Sequence, residues 1–448
     1  MQNKGRYNDL TSSRLLYYFF PFRDCLGINA GSTPLRIGEL YSVIYSIYVL
    51  IREKKCTYIP QIDNNLFYII ILLATNVLLV AIVSFLSYDS IDTMFMVKYV
   101  IRNVLVVVLI AAIWKTSISY SNKLILAGIK WNIVLQIIAA FIFFGLGQRV
   151  FMNHMTSIWE IQTASYGGVE LPRYSGTASE AGYLGPLLAM PLYYFIAIHK
   201  SKINKYLLVL CVTLLIVSLS SFNYLVIILG FVVFNYQKNK IKTLLWIIML
   251  CILGAASLSI IITVLNNTVI GSLVETNINK MLGYVTFGTL GEMDWSANDR
   301  NDHLINAYRF FCSGNIFEIL FGHGTGAYSY TAAHHSMVLV DNVEEAYNLY
   351  LSTLTDRGVC GLMIYASIYY YIFKIKTKNV ISNSIWFAIC IQLIHYMLVG
   401  NMWLYYVWQE VVFLIGYERY RFMKRHKKII VYDAQNNYSI FTVHKFRS

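Results

Sequence analysis

Charge is scarce in this chain, and its scarcity argues against water as the main solvent. Only 13% of the 448 residues are charged and 57% are hydrophobic, where an ordinary soluble domain carries about 25% charged residues; mean hydropathy is +0.54. With 6 prolines and no Gly/Ser-rich, low-complexity or repeated tract, nothing divides the chain, and residues 1–448 read as one membrane domain. The 7 cysteines, at positions 25, 56, 211, 251, 312, 360 and 390, form no CxxC pair. Neither a thiolate metal centre nor a disulfide framework is expected. Residues 1–13 are polar and lack the apolar core and cleavage site of a secretory signal, so the first helices are expected to act as uncleaved insertion signals.

Long apolar runs are what the chain has instead. A hydrocarbon core about 30 Å thick needs about 17–25 apolar residues per helix. Runs of that kind occupy 35–51, 66–87, 92–114, 124–147, 183–198, 242–265, 358–373, 383–400 and 402–417. The run 206–235 is too long for one span, and Ser220, Ser221 and Asn223 within it predict two short helices meeting at a polar turn. That gives eleven spans. The segment 14–28, broken by Pro21, is either a re-entrant piece or a twelfth.

The net charge of +13 is carried by Lys and Arg scattered in short loops rather than gathered on one face, which argues against nucleic acid. Their distribution sets orientation, because positive residues are retained on the cytoplasmic side. Under strict alternation, 22 Lys and Arg fall on one side, including eight in the basic tail 418–448, and five on the other. The two large loops, 148–182 and 266–344, are therefore expected outside the membrane on the extracytoplasmic face. Within the second, residues 302–312 place Leu304, Tyr308 and Phe311 at helical spacing, as in an amphipathic helix at a membrane surface.

Both loops end in clustered polar and glycine residues. The first closes in RYSGTASEAGYLG, with Arg173, Gly176, Thr177, Glu180, Gly182 and Gly185. The second contains Arg300, then LFGHGTGAY with Gly322, His323, Gly324 and Gly326, then His334 and His335, then EEAYNLYLSTLTDRGVCG. From about residue 150 to 375, this order of motifs resembles the O-antigen polymerase and O-antigen ligase superfamily. The final motif of that superfamily maps onto Tyr347, Asn348, Leu351, Leu354, Asp356 and Gly358, with Gly361 following. Two positions depart from it: Tyr347 stands where the motif has His, and Ser221-Phe222-Asn223 stands where a Ser-Arg-Gly turn is often found.

The resemblance implies an all-α polytopic membrane protein of about 11–12 transmembrane helices with two large extracytoplasmic loops, of the GT-C type, in the bacterial plasma (inner) membrane. It implies an inverting glycosyltransferase that passes a growing glycan from undecaprenyl diphosphate to a lipid-linked repeat unit, without cofactor or metal. The implied partners are the undecaprenyl-diphosphate-linked oligosaccharide, membrane lipids and a chain-length regulator protein. Absence of the motif His favours a polymerase over a ligase. A lipid-linked oligosaccharide flippase is the rival from another class, against which stand the missing internal repeat and the polar residues gathered in outer loops.

The chemistry fits these residue types. Arg offers a permanent charge and a fork of donors matched to a diphosphate leaving group, so Arg173 and Arg300 are candidate clamps. The base that takes the proton of the attacking hydroxyl is one of Glu180, Glu345, His323, His334 and His335. Tyr347 and Asn348 are candidate substrate contacts. The glycines of GHGTG lack the Lys-Ser/Thr ending of a nucleotide loop and read as a tight turn. Lys98 and Arg102 share one face of an apolar run. Arg102 lies roughly 15 Å in from Asp92 at 1.5 Å per residue, deep enough to require a polar cavity or a partner.

Overall fold

The computed structural model describes residues 27–30, 33–52, 59–87, 93–115, 121–147, 163–166, 169–178, 180–245, 249, 268, 271–272, 275–276, 295–328, 330, 346, 348–375, 379–398 and 406–426. Over these residues the protein is mostly helical. Its helices are α1 (Ile37–Arg52), α2 (Pro60–Leu86), α3 (Thr93–Ala112), α4 (Asn122–Leu146), α5 (Leu184–Ala197), α6 (Lys202–Val217), α7 (Ser221–Lys238), α8 (Trp295–Cys312), α9 (Ile316–Phe321), α10 (Leu349–Lys374), α11 (Val380–His395) and α12 (Tyr406–His426). A 3-10 turn, Ala181–Tyr183, leads into α5.

Helix ends follow local chemistry. Pro60 opens α2, where its missing N–H is no loss. Gly147, left-handed at φ 64°, closes α4 and donates its N–H to Phe143 O. Asn315 and Glu318 form a reciprocal capping box on α9. Asn379 caps α11 by accepting from Ile381 N.

Two of these helices, over Ile62–Leu86 and Asn122–Leu146, are long and apolar enough to cross a membrane; Ile37–Ile51, Tyr99–Ala112, Ala181–Ala197 and Val380–His395 are shorter apolar helices. Helix boundaries lie near the apolar runs, except that α2 begins six residues and α10 nine residues earlier than its run, and α12 continues into the segment read as tail. The run 206–235 does divide, into α6 and α7, at Ser218–Ser220. Leu219 there holds φ 50°, an unusual conformation for a residue with a Cβ. Residues 302–312 lie within α8. The run 242–265 falls mostly, and the piece 14–26 wholly, outside the described residues.

The described residues are mostly helical, as expected, with a small strand component besides. Two antiparallel hairpins are present, β1 (Gly27–Ala30) with β2 (Thr33–Arg36) and β3 (Thr163–Tyr166) with β4 (Val169–Pro172). The register pairs Thr163 with Pro172 and Tyr166 with Val169.

The core runs through α5, α11 and α12. From Val407 to Arg419 every α12 side chain is buried, and from Leu184 to Tyr193 every α5 side chain is. The core also contains charge. Asp63 of α2 pairs with Arg419 of α12, both side chains almost wholly enclosed, and Arg419 Nη2 donates to Trp114 O at 3.1 Å. Asp63 lies in the first turn of α2 and Arg419 in the segment read as tail, yet both are packed into the core.

Candidate functional site

The end of the first loop is built around an amide inside α4. Gln136 accepts the Thr177 N–H at Oε1 (3.1 Å) and donates from Nε2 to Thr177 Oγ1 (2.6 Å). The Tyr174 hydroxyl donates to Gln136 O at 2.6 Å. Gly176 lies between these contacts at φ 59°, and a Cβ there would overlap Gln136 Oε1. Only glycine meets both demands without strain.

One turn further along, Asn223 donates from Nδ2 to Ala181 O and to Ser218 Oγ, each at 2.7 Å. The Ser221-Phe222-Asn223 departure from the family pattern therefore contributes a clamp of its own, tying the α6–α7 turn to the loop before α5. Arg173 is half-buried, and its Nε has no hydrogen-bond partner among the described residues. Glu180 is exposed at the start of the 3-10 turn, with no side-chain capping bond.

The second loop returns to the bundle at a break in α10. Gly358 has φ 62° and ψ −165°, which interrupts the helix and removes the partners that the carbonyls of residues 355 and 356 would find four positions on. The Gly-rich turn supplies replacements: His323 N donates to Thr355 O at 2.8 Å and Gly324 N to Asp356 O at 3.2 Å. Gly326 N donates to Asp356 Oδ1 at 3.1 Å. Thr325 N donates to Ser84 Oγ at 3.1 Å, pinning the turn to the last turn of α2.

Behind this junction Arg357 is fully buried. It donates from Nη1 to Asn76 Oδ1 at 2.9 Å and from Nη2 to Thr353 Oγ1 at 3.2 Å. Its guanidinium lies over the rings of Tyr99 (5.2 Å) and Tyr365 (4.9 Å). Asn76 continues the network to Asn103 at 3.1 Å, and Asn103 to Tyr99 O at 2.9 Å. Helices α2, α3 and α10 are thus joined by one polar network inside an apolar bundle, where a lone cation would be costly.

His323 sits on this turn with its ring 4.4 Å from that of Phe310. Its Nδ1 is 3.8 Å from Glu318 Oε1, and its Nε2 is buried without a hydrogen-bond partner among the described residues. Burial lowers its pKa below the usual 6.5, while the Glu318 carboxylate and the Phe311 backbone act in the opposite direction. The lowering favours the neutral imidazole, the form able to accept a proton, while Nε2 itself is enclosed beside Gly314.

The two loop ends meet at the last turn of α11. Asn348 caps α10, accepting from Tyr350 N and Leu351 N, and donates to Met397 O at 3.0 Å. Leu349 N donates to Tyr396 O at 2.9 Å. The buried His395 ring packs against Tyr183 (4.8 Å) and Phe222 (4.7 Å). Asn348, a candidate substrate contact, thus caps α10 and straps it to the end of α11 through its side chain.

Of the other sequence candidates, Arg102 is half-buried on α3. Arg300 and Lys98 lie on α8 and α3, but the placement of their side chains falls outside the described residues, as do His334, His335, Glu345 and Tyr347 altogether. Sequence reasoning passed over Arg357, Glu318, Gln136, Asn76 and His395. The available signal was an isolated polar residue within or beside an apolar run. Among the described residues no group of three or more His, Cys, Asp or Glu could hold a metal ion. No protein-family model matches the chain, and no curated protein is significantly similar to it.

Proposed function

We propose that the chain is a polytopic membrane glycosyltransferase that polymerises lipid-linked oligosaccharide repeat units on the extracytoplasmic face of a bacterial plasma membrane. A growing glycan on undecaprenyl diphosphate is the donor and a single lipid-linked repeat unit the acceptor. Its spans are the eleven or twelve apolar runs, and 148–182 and 266–344 are its two outer loops.

The observation that carries this reading is the mutual packing of segments that resemble one superfamily. The Gly322–Gly326 turn clasps the break at Asp356 and Gly358, and Tyr183 from the end of the first loop reaches the α11 turn held by Asn348 from the end of the second. Arg173 and Arg300 hold the diphosphate and stabilise the charge that grows on it as the glycosidic bond breaks. A carboxylate or imidazole from Glu180, His323, His334, His335 or Glu345 removes the acceptor proton.

The surface glycan of a deletion strain tests the activity. A single repeat unit on each anchor supports a polymerase, and long chains left on the undecaprenyl lipid would make the protein a ligase instead. Reporters fused at Lys240 or Lys376 are expected to read as cytoplasmic, and those near Gly168 or Tyr328 as external. A cytoplasmic signal from either large loop would overturn the site along with the topology.

A further inference from the structure

We propose that α9, with the outer face of α8, is a lipid-inserted wedge that seats the Gly322–Gly326 turn at the headgroup–acyl boundary of the bilayer. Three observations lead there. In the six residues of α9, Ile316 is 79% exposed, Phe317 48% and Leu320 41%. Positions 316, 317 and 320 lie on one side of the helix, while Glu318 on the other forms the cap and faces His323. On α8, Ile305 and Tyr308 are likewise exposed and share a face. Water would not stabilise so short a helix with its large apolar side chains outward, and contiguous exposed apolar surface marks a contact.

The position of the helix identifies the contact. Ser84, in the final turn of α2, bonds both Thr325 N and Thr325 Oγ1, so the turn directly after α9 is fixed at the end of a helix apolar enough to cross a membrane. The same end of α2 exposes Ile82, Phe85 and Leu86. α9 also packs on α10, where a Cβ on Gly322 would overlap the backbone of Asp356 and Arg357, and α10 exposes Met363 beyond that junction. The apolar face of α9 therefore continues the outward apolar surfaces of α2 and α10 at the level where α2 ends. Asp302 and Arg309 are exposed on α8 within one turn of Ile305 on the same face, so α8 meets the headgroups there while α9 carries the side chains that enter the acyl layer.

This inference rests on the membrane part of the proposed function and not on the glycosyl transfer. The full chain, with Cys312→Ser and the other native cysteines replaced, would carry an NBD fluorophore at Ile316→Cys or at Asp302→Cys. It would be reconstituted into phosphatidylethanolamine/phosphatidylglycerol vesicles containing brominated-acyl lipid. At position 316 the emission is expected to shift to the blue, to be quenched by the brominated lipid and to ignore aqueous iodide; position 302 is expected to respond to iodide. Iodide quenching at 316 in protein that floats with the vesicles would overturn the wedge alone. Failure to float would overturn the membrane reading itself. Indifference to both quenchers, with self-quenching that grows with protein-to-lipid ratio, would place a second copy of the chain on this face and equally refute the lipid wedge.

Discussion

Arg357 reaches Asn76 across the bundle, donating from Nη1 to Oδ1 at 2.9 Å, and this bond joins α10 to α2 in surroundings where neither group meets water. A hydrogen bond to a charged group contributes about 1.5–3 kcal/mol, and stranding a buried donor costs a similar amount. Asn76→Ala should therefore lower the unfolding free energy in detergent by about 1–3 kcal/mol. Arg357→Lys should cost at least as much, since an ammonium cannot bond Asn76 and Thr353 while stacking between Tyr99 and Tyr365. An unchanged unfolding midpoint for Arg357→Lys would rule out this role.

Gly322 and Gly358 hold the Gly-rich turn against the broken helix at φ 89° and 62°, each so close to opposing backbone that a Cβ would overlap it. Alanine at either position should separate turn from helix, destabilising by more than about 1–3 kcal/mol because strain and steric overlap add. Gly145 offers the contrast: it lies inside α4 with nothing within 4 Å of a Cβ. Gly145→Ala is expected to be neutral or to stabilise by up to about 1 kcal/mol. Thermal unfolding of the three variants side by side would check the ordering.

Gln136 carries the end of the first loop on four contacts: Oε1 accepts from Thr177 N and from the Tyr174 hydroxyl, Nε2 donates to Thr177 Oγ1, and the backbone oxygen accepts from the Tyr174 hydroxyl. Gln136→Leu keeps the volume and the backbone bond while removing every side-chain bond, to Thr177, Tyr174 and Asn132. Cleavage by external protease between Arg173 and Glu180 should then increase, with α4 itself intact. Cleavage at the wild-type rate would mean that the loop is held by other contacts.

Asp63 and Arg419 form a buried ion pair. Breaking it from one side leaves an uncompensated charge, at a cost of about 3–5 kcal/mol, whereas replacing both with apolar residues is often neutral or stabilising. Arg419→Met and Asp63→Leu are each expected to reduce folded yield, and the double variant to recover much of it. A double variant as poor as the sum of the singles would mean that the pair is not a closed unit.

His323 should make the turn sensitive to acid. Its pKa is lowered in the fold, chiefly by burial, so as pH falls below about 6.5 the unfolded chain takes up a proton that the folded chain resists. Stability is therefore full above that value and declines as pH falls toward the folded pKa. Glu318→Gln removes the carboxylate that raises the pKa, so the decline should deepen, and His323→Asn should abolish it. Unfolding midpoints recorded from pH 7.5 to 5 would decide; a profile unchanged by both substitutions would show that another group is responsible.

If Arg173 holds the diphosphate, Arg173→Ala should abolish polymer without changing protein level. Arg173→Lys should retain little, because an ammonium lacks the forked donors. Normal polymer from Arg173→Ala would remove it from the site.

Composition and period alone determined that the chain is largely apolar helix, approximately where α1 to α7 and α10 to α12 lie, and that the run 206–235 must turn at its serines. These are one-dimensional properties: apolar length, breakers and caps act on neighbours in the chain. The strands β3 and β4 are too short, at four residues each, for apolar alternation to mark them in the sequence.

What only the tertiary structure decided is which polar groups find one another across the bundle. Arg357 with Asn76, Gln136 with Thr177, Asp63 with Arg419, and the carbonyls freed at Gly358 with the N–H groups of His323 and Gly324 are each far apart in sequence. Buried polar groups must be paired. Any isolated polar residue in an apolar run therefore announces that a partner exists, while the identity of that partner depends on which helices pack together.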